Sequence, residues 1–265
     1  MPRAMVNGIE IEYVLEGDGP ETVVMVNGLA DEAESWGYQV PDFTAAGYRV
    51  LTFDNRGVGK SSKPAGPYTT KLLAQDTKAL VDELGLTDFH LMGTSMGGMI
   101  AQEYAIAYGD DLKSLTLSST YAAPGPFCGR MFSKWADMAP DLGVPFVMRD
   151  VTLWAFTLPF FETREAELKE FEAAMAAMDQ PLEAYLAQLS SIQTHDATDR
   201  LDRITSPTLV IAGEEDILIP VALSQRLHEG ITGSEWLTTP GGHASIWEHP
   251  EPFNQAVLAF IERHV

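Results

Sequence analysis

Cysteine is almost missing from this chain of 265 residues: Cys128 stands alone. An internal disulfide is therefore excluded, a cysteine-built metal centre is not expected, and Cys128 itself reads as a small apolar side chain. Basic residues are also scarce, 17 Lys and Arg against 38 Asp and Glu, for a formal net charge of −21. Such a surface repels phosphate backbones and anionic lipid, so neither nucleic acid nor a membrane surface is an expected partner. No run approaches the roughly 18 apolar residues of a membrane span. The opening MPRAMVNGIEIEY lacks the apolar stretch of a signal peptide, and the expected location is the cytoplasm. No repeat or low-complexity tract interrupts the chain.

With 45% hydrophobic residues, the chain can bury a large core. The segment from Met5 to Val14 alternates around Asn7-Gly8 and predicts an antiparallel hairpin. After it, short β-branched or aromatic runs (Val23–Val26, Tyr48–Phe53, Phe89–Met92, Leu115–Leu117, Pro207–Ala212, Glu235–Leu237) alternate with helix-length segments. Those segments run over 32–46, 70–84, 96–108, 221–227 and 252–263. This alternation predicts an α/β fold with a mostly parallel central sheet flanked by helices. Between roughly residues 122 and 199 the pattern stops, and only helical patterns remain. The expected organisation is a core domain formed by 1–121 and 200–265, with a helical cap at 122–199 inserted after the sixth strand. The insertion carries many aromatic and methionine side chains, and from these Trp135, Met138, Phe146 and Trp154 are candidates to line an apolar pocket, with His195 and Asn27 as further pocket candidates.

The stretch LMGTSMGGMI places Ser95 between Gly93 and Gly97, where a strand gives way to a helix. A sharp strand-to-helix turn needs small neighbours and projects the hydroxyl beyond the sheet, and the Met96 amide then opens a helix, where free N–H groups favour an anion. A serine nucleophile requires a base, and the base an orienting carboxylate. Asp216 in VIAGEEDILIP and His243 in TTPGGHASIWEHPEPF both follow the carboxyl ends of predicted strands, where open α/β sheets gather functional groups. Glu214 and Glu215 compete for the acid role and His249 for the base role. Their positions fit less well, since a one-residue displacement redirects the side chain and His249 precedes a proline at a helix mouth. His90, inside a strand, reads as a core histidine. A second oxyanion donor is expected from the loop VNGLADEAESW, where Gly28 permits close approach and Leu29 supplies its N–H.

Taken together, NGLADEAESW, FDNRGVGKS, GTSMGG, PTLVIAGEEDILIP and GGHASIWEHPEPF resemble, in order and over nearly the whole chain, the α/β-hydrolase-fold serine hydrolases with a helical cap. Small bacterial carboxylesterases, enol-lactonases and polyketide methylesterases look most similar. The resemblance implies Ser95 as nucleophile, His243 as base, Asp216 as acid, and the amides of Leu29 and Met96 as oxyanion hole, with no metal or organic cofactor. It implies a small-molecule ester or lactone as substrate and a monomer or homodimer as the working unit. Arg56 resembles a position that ties loops together. Asn27-Gly28 departs from the His-Gly usual in the family, and serine at the nucleophile position disfavours the aspartate-using dehalogenases and epoxide hydrolases. Two rival readings share the fold. One is a hydrolase of carbon–carbon bonds in vinylogous diketones, which would need Arg130, Lys134, Arg149, Arg164 or Lys169 to face Ser95. The other is a ligand-binding receptor with little or no turnover.

Overall fold

The computed structural model describes residues 1–265. Asn7 and Gly8 take φ values of 50° and 78°, a turn that matches the right-handed twist of its strands, and they join β1 (Arg3–Val6) to β2 (Ile9–Glu16) as an antiparallel pair. The remaining strands are β3 (Glu21–Val26), β4 (Tyr48–Phe53), β5 (Phe89–Thr94), β6 (Leu112–Ser118), β7 (Thr208–Gly213) and β8 (Glu235–Thr239). They form one eight-stranded sheet in the order β1-β2-β4-β3-β5-β6-β7-β8, antiparallel at β1, β2 and β4 and parallel from β4 through β8.

Helices cover both faces. In chain order they are α1 (Val40–Ala45), α2 (Thr70–Glu83), α3 (Met96–Tyr108), α4 (Gly125–Leu142), α5 (Val144–Ala155), α6 (Leu158–Thr163), α7 (Glu165–Ala176), α8 (Leu182–Gln193), α9 (Val221–Gly230), α10 (Ser245–Glu248) and α11 (Pro250–Ile261). Alternate strand residues point to opposite faces. Val23 and Met25 of β3 accordingly join Phe43, Phe253, Val257 and Phe260 under α1 and α11, whereas Val24 and Val26 join the larger core beneath α2 and α3. Because α3 crosses the middle of that core, it is buried on every side from Met96 to Ile106.

The stretch expected to be one helix over 32–46 is two pieces, a single 3-10 turn (Ala33–Trp36) and α1. Gly37 ends the first, and Pro41, which lacks an N–H, sits in the opening turn of the second. Between β6 and β7 the chain forms α4 to α8 and no strand. Phe132, Trp135, Val147, Tyr185 and Leu189 from these helices belong to the same apolar cluster as Leu91, Met99 and Leu117 beneath them. The insertion is thus packed into the sheet's own core. No helix is long and apolar enough to cross a membrane.

Candidate active site

The parallel strands end together on one edge of the sheet, and the turn from β5 to α3 lies there. Ser95 holds φ 54° and ψ −118°, a conformation that costs an L-residue about 1–3 kcal/mol and persists only where its surroundings enforce it. Here they do. The Ser95 N–H donates to Ser118 O at 2.9 Å, and the Thr120 hydroxyl donates to Ser95 O at 2.8 Å. A Cβ on Gly93 would lie 2.2 Å from Gly97 O, and one on Gly97 would lie 2.0 Å from Val26 O, so the two glycines are steric requirements of this turn. Met96 follows as the first residue of α3, and N–H groups of a first turn lack an intrahelical acceptor.

Asp216 is buried at the end of β7. Its Oδ1 accepts from the Ile219 N–H at 2.8 Å, and its Oδ2 lies 2.9 Å from His243 Nδ1. That contact assigns the proton to Nδ1 and leaves Nε2 free to accept. Its competitors are elsewhere: Glu214 and Glu215 are exposed, Glu214 bonds Thr238, and His249 is exposed. The His243 loop is pinned to the insertion. Buried Glu248 accepts from the Gly242 N–H at 2.8 Å and the Thr157 hydroxyl at 2.6 Å, and the Ala244 N–H donates to Ala155 O at 2.9 Å.

Gly28 brings the loop after β3 against the serine, for a Cβ on it would stand 3.6 Å from Ser95 Cβ. Asn27 is buried behind this loop. Its amide donates to Phe53 O at 3.1 Å and Asp31 O at 3.2 Å, so it holds the loop. Gln188 on α8 holds it from above, accepting from the Ala30 N–H at 3.2 Å and donating to Arg56 O at 2.8 Å. Sequence reasoning missed Gln188, which is one glutamine in an unremarkable helical pattern. Arg56 bonds Asp76 through two contacts of 2.7 Å and ties the loop after β4 to α2.

Ser95, His243 and Leu29 line one cavity, of about 70 Å³, roofed by α4, α5, α7 and α8. Its walls are mostly apolar, among them Phe132, Trp135, Met148, Phe156, Ile192 and Trp247. Ser95 and His243 are not directly hydrogen-bonded in this geometry, and such catalytic bonds often tighten only around a bound substrate. Of the six expected pocket residues only Trp135 lines this cavity; Asn27, Met138, Phe146, Trp154 and His195 do not. Phe146 is 41% exposed on the outer face of α5, Met138 packs at the edge of the core, and Trp154 turns to Asp150, 3.3 Å from its Nε1. His195 is buried against Thr70 (3.0 Å) and Gln102 (3.4 Å), and burial pushes its ring down to about 4. None of Arg130, Lys134, Arg149, Arg164 or Lys169 lines the cavity. His90 is buried with Nδ1 2.8 Å from Ser114 Oγ, as a core histidine should be.

Among the lining residues that sequence reasoning missed, one is charged. Asp31 enters the cavity from the loop after β3, two residues past Leu29. Burial pushes its carboxyl up to about 7, against a smaller downward pull from the His243 ring and the Gly28 amide. Nowhere do three His, Cys, Asp or Glu side chains assemble as metal ligands.

The sequence profile of the alpha/beta hydrolase fold family matches residues 21–250. A relative from Caulobacter segnis, provisionally named carbamate hydrolase RutD, is 30% identical over 247 residues, spanning 92% of each chain. Another of the same name from Stutzerimonas stutzeri is 31% identical over 94% of each. Among solved structures, the enol-lactonase of Burkholderia xenovorans LB400 superposes with a TM-score of 0.91 at 27% identity, covering 98% of this chain and 100% of that one. A thermophilic esterase from Thermogutta terrifontis gives 0.89 at 25% identity, covering 100% and 99%.

Proposed function

This chain belongs to the alpha/beta hydrolase fold family, and from that premise we propose that it is a serine hydrolase cleaving a carboxylic ester or lactone with an apolar moiety. The observation that carries the reading is the buried Asp216 carboxylate 2.9 Å from His243 Nδ1, on a ring that shares one cavity with the strained Ser95.

In this reading His243 Nε2 takes the Ser95 proton as Oγ attacks the carbonyl carbon, and Asp216 keeps the ring oriented and stabilises its charged form. The carbonyl oxygen becomes an oxyanion and accepts from the amides of Leu29 and Met96, an arrangement that elsewhere supplies about 3–4 kcal/mol per donor. His243 then returns the proton to the leaving alkoxide, an acyl-enzyme remains, and water activated by the same ring releases the acid. The helical insertion serves as a cap whose apolar side chains receive the substrate's apolar part.

The names of the relatives raise a carbamate as a second substrate class, and the same attack on a carbamoyl carbon would serve. The walls formed by Phe132, Trp135, Met148 and Phe156 favour an apolar group over the polar amino end of a carbamate. The diketone reading loses support because no lysine or arginine lines the Ser95 cavity. The test is turnover of p-nitrophenyl esters of graded acyl length, simple lactones and carbamates beside Ser95→Ala. Ester or lactone turnover that vanishes in the variant supports the proposal; turnover of carbamates alone would replace it.

A further inference from the structure

The cavity at Ser95 does not end at its own walls. A larger space of about 460 Å³ adjoins it between the loop after β3 and the outer half of α7, lined by Glu32, Glu34, Tyr38, Ala174 and Met178 among others. Asp31, Phe171, Met175 and Trp247 line both spaces, so the two meet at these side chains, here called the neck. The inner cavity is small, about 70 Å³, and the space beyond this neck is the larger one, so a substrate longer than a few non-hydrogen atoms needs it.

The charges along the route are one-sided. No lysine or arginine lines either space; the ionisable side chains are Asp31 and His243 inside, and Asp31, Glu32, Glu34 and Tyr38 outside. Asp31 forms no ion pair with a lysine or arginine, and its carboxyl titrates near neutrality because burial disfavours its charge. In mildly alkaline solution it is an anion where the two spaces meet, in a wall it shares with Phe171, Met175 and Trp247. A carboxylate brought there would be repelled, and a cation would gain a partner that the protein itself does not provide.

We propose that Asp31 is a specificity-determining residue, a charge filter at the neck that admits esters or lactones whose outward-reaching part is neutral or cationic and rejects those carrying a carboxylate there. The inference rests on the serine-hydrolase reading above, because it takes Ser95 as the reacting end of the path. Aromatic rings in the same walls, Trp247 and Phe171 at the neck and Tyr38 beyond it, suit an ammonium group further.

The test uses three fluorophosphonates of equal length whose tails are neutral, quaternary ammonium or carboxylate. In each, the Ser95 Oγ–P bond forms as the P–F bond breaks; fluoride leaves and the serine proton passes to His243. Second-order labelling rates are read by intact mass at pH 8 and low salt. A unit charge within about 6 Å is worth at least tenfold at the effective dielectric of such a site. The wild type is therefore expected to take the ammonium probe at least tenfold faster than the carboxylate probe, with the neutral probe between. Asp31→Asn should shrink that ratio by about tenfold, Asp31→Glu should keep it, and added salt should weaken it. Labelling of Ser95 with the same ratio in wild type and Asp31→Asn would overturn the charge filter and leave the serine-hydrolase reading intact. No labelling of Ser95 by any probe would overturn both.

Discussion

Replacing Asp31 with asparagine should make the protein more stable, and more so as the pH rises. The folded state holds this carboxyl up at about 7, while an unfolded chain leaves it near its ordinary 3.8. Below both values the group is neutral in both states and costs nothing. As pH climbs from about 4 to 7 the unfolded chain ionises it and the folded chain resists, so a penalty on the fold accumulates and is complete above 7. About three pKa units correspond to about 4 kcal/mol, and access to water from the outer groove reduces this to about 2 kcal/mol at pH 8. At pH 5 the same bookkeeping leaves about 1 kcal/mol. Asparagine is neutral throughout and nearly the same size. Urea unfolding of wild type and Asp31→Asn at pH 5, 6.5 and 8 reads the difference directly, and at this chain length thermal midpoints should differ by about 4–8 °C at pH 8. A variant that is less stable than wild type, or whose advantage is the same at all three pH values, would refute the claim that a buried charge is the cause.

Asp216→Asn should lower kcat by about 10³–10⁴ through loss of the ring's orientation and tautomer, whereas Glu215→Gln, one residue away and exposed, should stay within about twofold, both measured on a turned-over ester. Gly97→Ala should lose about 3 kcal/mol by denaturant unfolding, since the new Cβ meets Val26 O at 2.0 Å; Gly129→Ala in α4, with open space around it, should be neutral or slightly stabilising. Gln188→Ala should reduce kcat about tenfold more than it changes KM, because the loop that carries Leu29 loses its tether from α8 and its donor no longer sits where the oxyanion forms.

The parts of the site that lie at strand ends were legible in the sequence, because a strand, its terminal turn and the next helix are local. The helix read over 96–108 is α3 to the residue, and Asp216 is buried where its neighbours Glu214 and Glu215 are exposed. The pocket was not legible. Helical periodicity in the insertion shows that Met138, Phe146 and Trp154 belong to amphipathic stretches, but which stripe faces Ser95 depends on how five short helices cross one another, and that is set by contacts distant in sequence. Asp31 was invisible for the same reason. In DEAES it is one acid among several, and the other walls of the cavity it lines include Phe171 and Met175, some 140 residues later, and Trp247, more than 200 residues later. The helix expected over 32–46 failed locally instead, where composition outweighed the Gly37 and Pro41 breaks.

The central claim is that Ser95 carries the acyl group during turnover. The most direct measurement is rapid mixing of the enzyme with an excess of a p-nitrophenyl ester, an acid quench within the first turnovers, and mass spectrometry of the digested protein. The account predicts a burst of p-nitrophenol close to one per active site and an acyl adduct on the peptide that contains Ser95, absent from Ser95→Ala. Turnover that persists in Ser95→Ala, or an adduct on any other residue, would contradict it.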